Sequence, residues 1–218
     1  MKLRLYVEDS YYQAYEGLAK KWLKTRRLQY REVKASKLRL NKMRDEMLKY
    51  VEFAHKDGFT CVVFILDQET PQNSLAAEIR ASFKTLCKIL PNHPTLRDMK
   101  VWLVVVKNSL ESWLLAEAEA ITRFASKTTK YRAKQNGNTE LMTPNEAIKK
   151  ITHILNQVEN SKRGKRGKRR KRRKYEKSEA PDIVKYMSDD LSIAAKRNRS
   201  LKYFLRAVTC QQSGCHDR

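Results

Sequence analysis

The sequence predicts a three-layer α/β protein with a mostly parallel central sheet flanked by helices, and three observations predict it. Short β-prone runs alternate with segments of helical periodicity over the first two-thirds of the chain. Two of those runs, 60–66 (TCVVFIL) and 101–106 (VWLVVV), are apolar without interruption, as strands covered on both faces are. Helices between successive strands imply right-handed crossovers, hence parallel pairing.

Taken in order, 2–7 (KLRLYV) reads as the first strand. Residues 11–26 follow as an amphipathic helix with Ala14, Leu18 and Trp22 on one face. The short alternating segment 28–34 (LQYREVK) reads as a second strand. Residues 42–55 predict a helix with Met43, Met47, Val51 and Ala54 inward, stopped by Gly58. After strand 59–66, Asn73 or Ser74 can cap a helix whose Leu75, Ile79, Phe83, Leu86 and Leu90 form a stripe ending before Pro91. Strand 101–106 completes the set, and a domain boundary is expected near residue 126. The expected organisation is an α/β domain over 1–126, then a loop and capped helix packing on the core over 127–160. A basic flexible segment follows over 161–178, short C-terminal helices over 179–208 and a disordered tail over 209–218. Thr143-Pro144-Asn145-Glu146 is a capping box with proline at the first helical position, so a helix begins there.

Charge narrows the partner. The net charge is +23, and eleven of the thirteen residues from Lys162 to Lys174 (KRGKRGKRRKRRK) are basic. Removing those eleven charges leaves the remainder at +12, so the body is basic as well as the run. Such a surplus is the ordinary signature of a protein that neutralises phosphates. The run's cations are Lys162, Arg163, Lys165, Arg166, Lys168, Arg169, Arg170, Lys171, Arg172, Arg173 and Lys174. A nucleic-acid backbone clamp, a solvated spacer and a localisation signal are all open readings of it, with a non-specific phosphate contact favoured. The absence of aromatics within it argues against base stacking. No stretch approaches the roughly 20 apolar residues that span a bilayer. The four cysteines do not read as a disulfide framework, and a reducing cytoplasm is expected.

The candidate chemistry lies where strands end. Glu8 closes the first strand, and Asp67 and Glu69 close the strand before them, at the carboxyl edge where α/β folds build their sites. Carboxylates without neighbouring cysteine or histidine suit a hard, oxygen-liganded cation such as Mg²⁺ or Mn²⁺. In that reading Asp67 and Glu69 hold the cation, while Glu8 completes the coordination or acts as general base. Glu111, a short loop beyond strand 101–106, can reach the same edge. Trp113, Leu114 and Leu115 read as core, and Glu117 and Glu119 as exposed helix acids. Cys210, Cys215 and His216 are too few and too terminal to make a metal site.

Several short patterns, read in order, resemble one known family. The strand ending Val7-Glu8 and the later one ending Asp67-Gln68-Glu69 are similar to the glutamate and DxD-type motifs of TOPRIM domains. Glu111-Ser112-Trp113-Leu114-Leu115-Ala116-Glu117 resembles the E-x-W-L-L-A signature of the TOPRIM-like domain-of-unknown-function 4276 family. So does a proline-capped helix followed by Lys174-Tyr175, by 183–187, and by Ser200-Leu201 before Phe204-Leu205. The resemblance implies a TOPRIM-like fold with a small C-terminal helical extension. It also implies a Mg²⁺-dependent nuclease that hydrolyses DNA or RNA, tRNA included, with Glu8, Asp67, Glu69 and Glu111 catalytic. Relatives of this kind are expected to act in bacterial anti-phage defence beside an AAA or SMC-like ATPase, and a homodimer is compatible with them. The chain departs from the pattern at Asp9, where glycine is usual, and at Tyr11 or Tyr12, where a second acid is expected; the basic run is an addition. A non-catalytic subunit that binds nucleic acid or docks on the ATPase is the alternative.

Overall fold

The computed structural model describes residues 2–28, 32–68, 74–126, 131–134, 137–161, 173–211 and 214–217. Among these, β1 (Lys2–Val7), β2 (Glu32–Lys37), β3 (Cys61–Gln68), β4 (Lys100–Lys107) and β5 (Cys215–Asp217) form one sheet. Every pairing is parallel and the order is β2-β1-β3-β4-β5. The register sets Leu5 beside Val63 and Val63 beside Trp102. The helices are α1 (Tyr12–Thr25), α2 (Leu40–Asp45), α3 (Met47–Lys56), α4 (Ser74–Ile89), α5 (Leu110–Leu115) and α6 (Ala118–Ala125). They continue as α7 (Pro144–Ser161), α8 (Ala180–Tyr186), α9 (Ser192–Arg197) and α10 (Arg199–Thr209).

Strand alternation divides the core into two layers. Leu3, Leu5 and Val7 of β1, Cys61, Val63 and Ile65 of β3, and Trp102, Val104 and Val106 of β4 face one side. That side is covered by α1 and by α5 through α10, with Leu18, Trp113, Ile151, Ile183 and Phe204 among the packed residues. Tyr6, Val62, Phe64, Leu66, Val101, Leu103 and Val105 face the other side, under α2, α3 and α4. This is why 61–66 and 101–106 carry no charged or hydroxyl side chain: each such apolar side chain, fully buried, contributes roughly 1.5–3 kcal/mol, and both faces of β3 and β4 are covered over these residues.

Several expectations are corrected. The second strand spans Glu32–Lys37, sharing 32–34 with the expected segment 28–34 and running three residues past it, and only Val33 in it is buried. As an edge strand with one neighbour it needs little apolar patterning. Residues 42–55 form two helices, broken at Glu46, and not one. The domain does not close at residue 126. Ala147, Ile151 and Leu155 of α7 and Leu201, Phe204 and Leu205 of α10 complete the first layer, so the C-terminal helices belong to the core and are no appendage. Thr143 and Glu146 form the capping box at the start of α7, each accepting the other's backbone N–H, at 3.3 and 2.8 Å.

The tail expected to be disordered instead supplies β5, which pairs with Val101–Leu103 along the otherwise open edge of β4. Gly214 makes the turn into it at φ +87, a conformation open to glycine, and the His216 ring lies 4.2 Å from that of Trp102. All four cysteines pair, Cys61 with Cys210 and Cys87 with Cys215, which corrects the expectation of no disulfide framework. Disulfides persist in oxidising surroundings, so this pairing lends nothing to the expected reducing compartment. No helix among the described residues is long and apolar enough to cross a membrane.

Candidate active site

The strand order creates the crevice. From β1 the chain passes outward to β2, then returns to the opposite side of β1 to form β3, so the crossovers diverge between β1 and β3. Doubly wound sheets bind their ligands at the carboxyl end of such a switch point. Glu8 follows β1 and Asp67 is the penultimate residue of β3, so the topology brings the two together. Glu8 continues the ladder through its backbone N–H, which donates to Ile65 O at 3.0 Å. Its carboxylate Oε2 accepts the Asp67 backbone N–H at 3.0 Å. A charge-assisted bond of this kind fixes the Glu8 side chain at the end of β3. Both acids are half-buried. Glu69 lies outside the described residues.

Glu111 enters the same region from α5, where it sits in the first turn and is 2 % exposed. Its Oε1 accepts the Tyr175 hydroxyl at 3.3 Å. Burial, then the Glu111 charge and that hydrogen bond, push the Tyr175 phenol well above its ordinary range. Asp9 is occupied locally: its Oδ1 accepts the Tyr11 N–H at 2.9 Å and so turns the chain into α1.

Tyr15 was not singled out in the sequence, where it reads as one more inward aromatic of α1. It is fully buried, its ring edge-on to Trp113 at 5.6 Å. Its hydroxyl has no hydrogen-bond partner among the described residues. Burial, followed by the charges of Asp67, Asp9, Glu111 and Glu8, holds its proton well above the usual phenol range. Four carboxylates from three separate places in the sequence therefore converge electrostatically on one neutral hydroxyl.

The Trp-Leu-Leu-Ala segment is core. Trp113 Nε1 donates to Ser200 Oγ at 2.9 Å, and Ser200 Oγ donates to Asn198 Oδ1 at 2.8 Å. Asn198 Nδ2 donates to Ser112 Oγ at 3.1 Å and to Thr139 Oγ1 at 3.2 Å, and Asn198 Oδ1 caps α10 by accepting the Leu201 N–H. This buried network locks α5, and with it Glu111, to α10. Glu117, expected to be an exposed acid, instead accepts from Ser188 N and Oγ and from Arg123 Nη2, tying α6 to the loop after α8.

Of the basic run, 162–172 lie outside the described residues. Arg173 serves the fold: it pairs with Glu179, its guanidinium lies 5.3 Å over the Phe124 ring, and its backbone N–H donates to Asn156. Lys174 is exposed.

Among the described residues no group of three Asp, Glu, His or Cys side chains stands close enough to hold a metal ion. Mg²⁺ commonly takes one or two carboxylates and fills its remaining positions with water and substrate phosphate. Glu8 and Asp67 match that donor chemistry, one Glu8 oxygen being already engaged by the Asp67 amide.

Fold and crevice together define a doubly wound, three-layer α/β protein with an acidic switch point on a basic body. No protein-family model, no curated protein and no solved structure matches the chain.

Proposed function

We propose that the protein is a metal-dependent nuclease that hydrolyses phosphodiester bonds in DNA or RNA. The observation that carries this reading is the joining of Glu8 and Asp67 at the switch-point crevice of a chain with net charge +23. Glu8 and Asp67 would hold Mg²⁺ or Mn²⁺; Glu69, the third acid of the sequence reading, lies outside the described residues. Such an ion supplies charge stabilisation on the phosphate and a water of lowered pKa. The chain's own residues orient and tune the site. The Asp67 N–H aims the Glu8 carboxylate, Glu111 is held by Tyr175, and Tyr15 remains a neutral hydroxyl donor among acids.

The resemblance of the ordered motifs described above supports reading this activity as that of a TOPRIM-like, cytoplasmic effector of bacterial defence paired with an AAA or SMC-like ATPase. In a reducing cytoplasm the two cysteine pairs, disulfides in the structure, would stand as neighbouring thiols. A homodimer is compatible with that setting. One observation favours a second reading, a non-catalytic subunit that binds nucleic acid or docks on the ATPase. Asp9 and Glu111 are both engaged within the fold, which leaves fewer acids for substrate.

Cleavage of plasmid DNA and total tRNA with Mg²⁺ or Mn²⁺, comparing wild type with Asp67→Ala and Glu8→Ala, tests the proposal. Cutting by the wild type alone supports the nuclease and identifies its substrate class. Equal cutting by all three proteins removes the activity from this crevice. No cutting by any, with or without the ATPase, favours the non-catalytic subunit.

A further inference from the structure

The basic body outside the run has a definite place for its charge. The exposed residues of α10 are Arg199, Lys202 and Arg206, spaced i, i+3 and i+7, so they line one face of the helix. Their opposite neighbours, Leu201, Phe204, Leu205 and Val208, are fully or almost fully buried. Two hollows flank this stripe and share Lys202 and Arg206. One, of about 470 Å³, opens at the part of the β4 edge that β5 leaves uncovered and is lined by Lys107, Arg199 and Tyr203. The other, of about 460 Å³, reaches Arg26, Lys196 and Trp22.

Lys107, Arg199, Lys202 and Arg206 make no side-chain ion pair among the described residues. Elsewhere cations are neutralised at short range: Lys42 by Glu46, Arg44 by Asp45 and Glu78, Lys185 by Asp182. Glu140 is the one acid lining the first hollow, and none lines the second; Asp190 lies near enough to feel Arg26 and Lys196. At the far end the Arg26 guanidinium sits 4.4 Å over the Trp22 ring. The Trp22 indole N–H, in a residue only 7 % exposed, has no hydrogen-bond partner among the described residues. Such a combination of unpaired cations, a concave floor and an indole with a stacked guanidinium suits a chain of phosphates carrying planar bases.

We infer that the α10 stripe, from Lys107 to Arg206 and on to Arg26, is a binding track for the phosphodiester backbone of a nucleic acid. It starts at Lys107, whose backbone is paired with Gln68 at the carboxyl edge, so a strand lying along it leads toward the Glu8–Asp67 crevice. Arg199 and Arg206 lie roughly 10 Å apart along the helix axis, by its rise per residue, enough to meet successive phosphates. The inference rests on nucleic acid being what the protein acts on, and is independent of whether it cuts.

The test is binding of a labelled single-stranded oligonucleotide, with divalent ions chelated, followed as a function of salt. The variants are the triple substitution Arg199→Gln, Lys202→Gln, Arg206→Gln and the control triple Lys56→Gln, Lys84→Gln, Lys88→Gln on the opposite face. All six side chains are exposed, and a thermal melt verifies that each variant folds. The stripe triple is expected to bind about 10- to 100-fold more weakly and to lower the log–log salt slope by about 2, as the loss of three phosphate contacts requires. The control triple should change affinity by less than about threefold. Oligonucleotide should also alter tryptophan fluorescence, and Trp22→Phe should remove that change, because Trp22 lines the second hollow whereas Trp102 and Trp113 line neither. Equal losses in both triples overturn the inference in favour of diffuse charge. Wild-type affinity in the stripe triple overturns it while leaving the nucleic-acid reading intact, whereas no oligonucleotide binding by the wild type removes both. If the stripe triple keeps the oligonucleotide but loses binding to phosphatidylserine vesicles, the occupant is a membrane surface and the track is refuted.

Discussion

Glu8 and Asp67 sit at the mouth of one crevice and are joined through a backbone amide, half-buried and fixed by the ends of two neighbouring strands. Arg199, Lys202 and Arg206 occupy a helix face a short way along the same molecule, exposed and without ion-pair partners among the described residues. A charge held in place in partly dry surroundings acts strongly over short distances and suits making or breaking bonds. A hydrated charge on a flexible stem acts through counterion release and suits affinity. The two regions are therefore expected to separate cleanly in experiment, one governing turnover and the other governing binding.

The largest expected effect breaks the pair on the acidic side. Asp67→Ala should lower single-turnover cleavage by about 10³-fold or more, the several kcal/mol that a metal-ion site supplies. Oligonucleotide affinity in chelator should stay within about twofold of wild type. A variant that lost both would show that the two regions are one.

The next effect asks whether crevice and stripe share a scaffold. Phe204 is fully buried against Tyr15 and Trp113, at ring distances of 6.3 and 5.1 Å. Phe204→Ala should cost about 3–5 kcal/mol of stability, read by urea unfolding. Fluorine labels in α1 and α5 should report the loss together, because α10 supports both.

Asn198→Ala is a smaller version of the same test. It removes the cap of α10 and leaves Ser112 and Thr139 short of a donor, so about 2 kcal/mol is expected. Cleavage should fall further than binding, since the network fixes Glu111 while the stripe cations only need their helix.

The smallest effect is of opposite sign. Tyr15 buries a hydroxyl without a partner, so Tyr15→Phe should be neutral or stabilising by up to about 1 kcal/mol near pH 7. The phenols of Tyr15 and Tyr175 are raised in the folded protein. Above about pH 10 the unfolded chain releases these protons while the folded one keeps them. Stability is therefore full below that pH and falls by about 1.4 kcal/mol per pH unit for each tyrosine as pH rises toward the folded pKa. Unfolding at about pH 7 and about pH 11 should show a shallower loss in Tyr15→Phe. An unchanged loss would remove Tyr15 from the account.

The central strands were legible because their residues answer to one requirement, burial on both faces, and 61–66 and 101–106 meet it without interruption. The meeting of Glu8 and Asp67 was legible for a related reason: each marks the end of such a strand, and parallel pairing puts strand ends side by side. β5 was not, because Cys215-His216-Asp217 has no strand pattern of its own and exists through the open edge of β4 and a cysteine partner, Cys87, far away in the chain. Tyr15 was not singled out, since the acids around it come from positions 8, 9, 67 and 111. Arg199, Lys202 and Arg206 carried a readable spacing, but the density of charge in 162–174 drew the assignment of phosphate contact to the run. The end of that run turned out to be structural at Arg173.

The two core layers also differ in when they can form during synthesis. The layer under α2, α3 and α4 draws its buried residues almost entirely from positions 6–105, so it can assemble once that stretch has left the ribosome. The layer holding Tyr15, Glu111 and the α10 stripe waits for Phe204 and Leu205, about a hundred residues and, at elongation rates of about 5–20 residues per second, about 5–20 s later. Protease protection of stalled chains should appear first in the early layer. A nascent chain halted before α10 would then carry a folded half and an unassembled crevice, so the acidic site becomes competent only as translation of the last helix finishes.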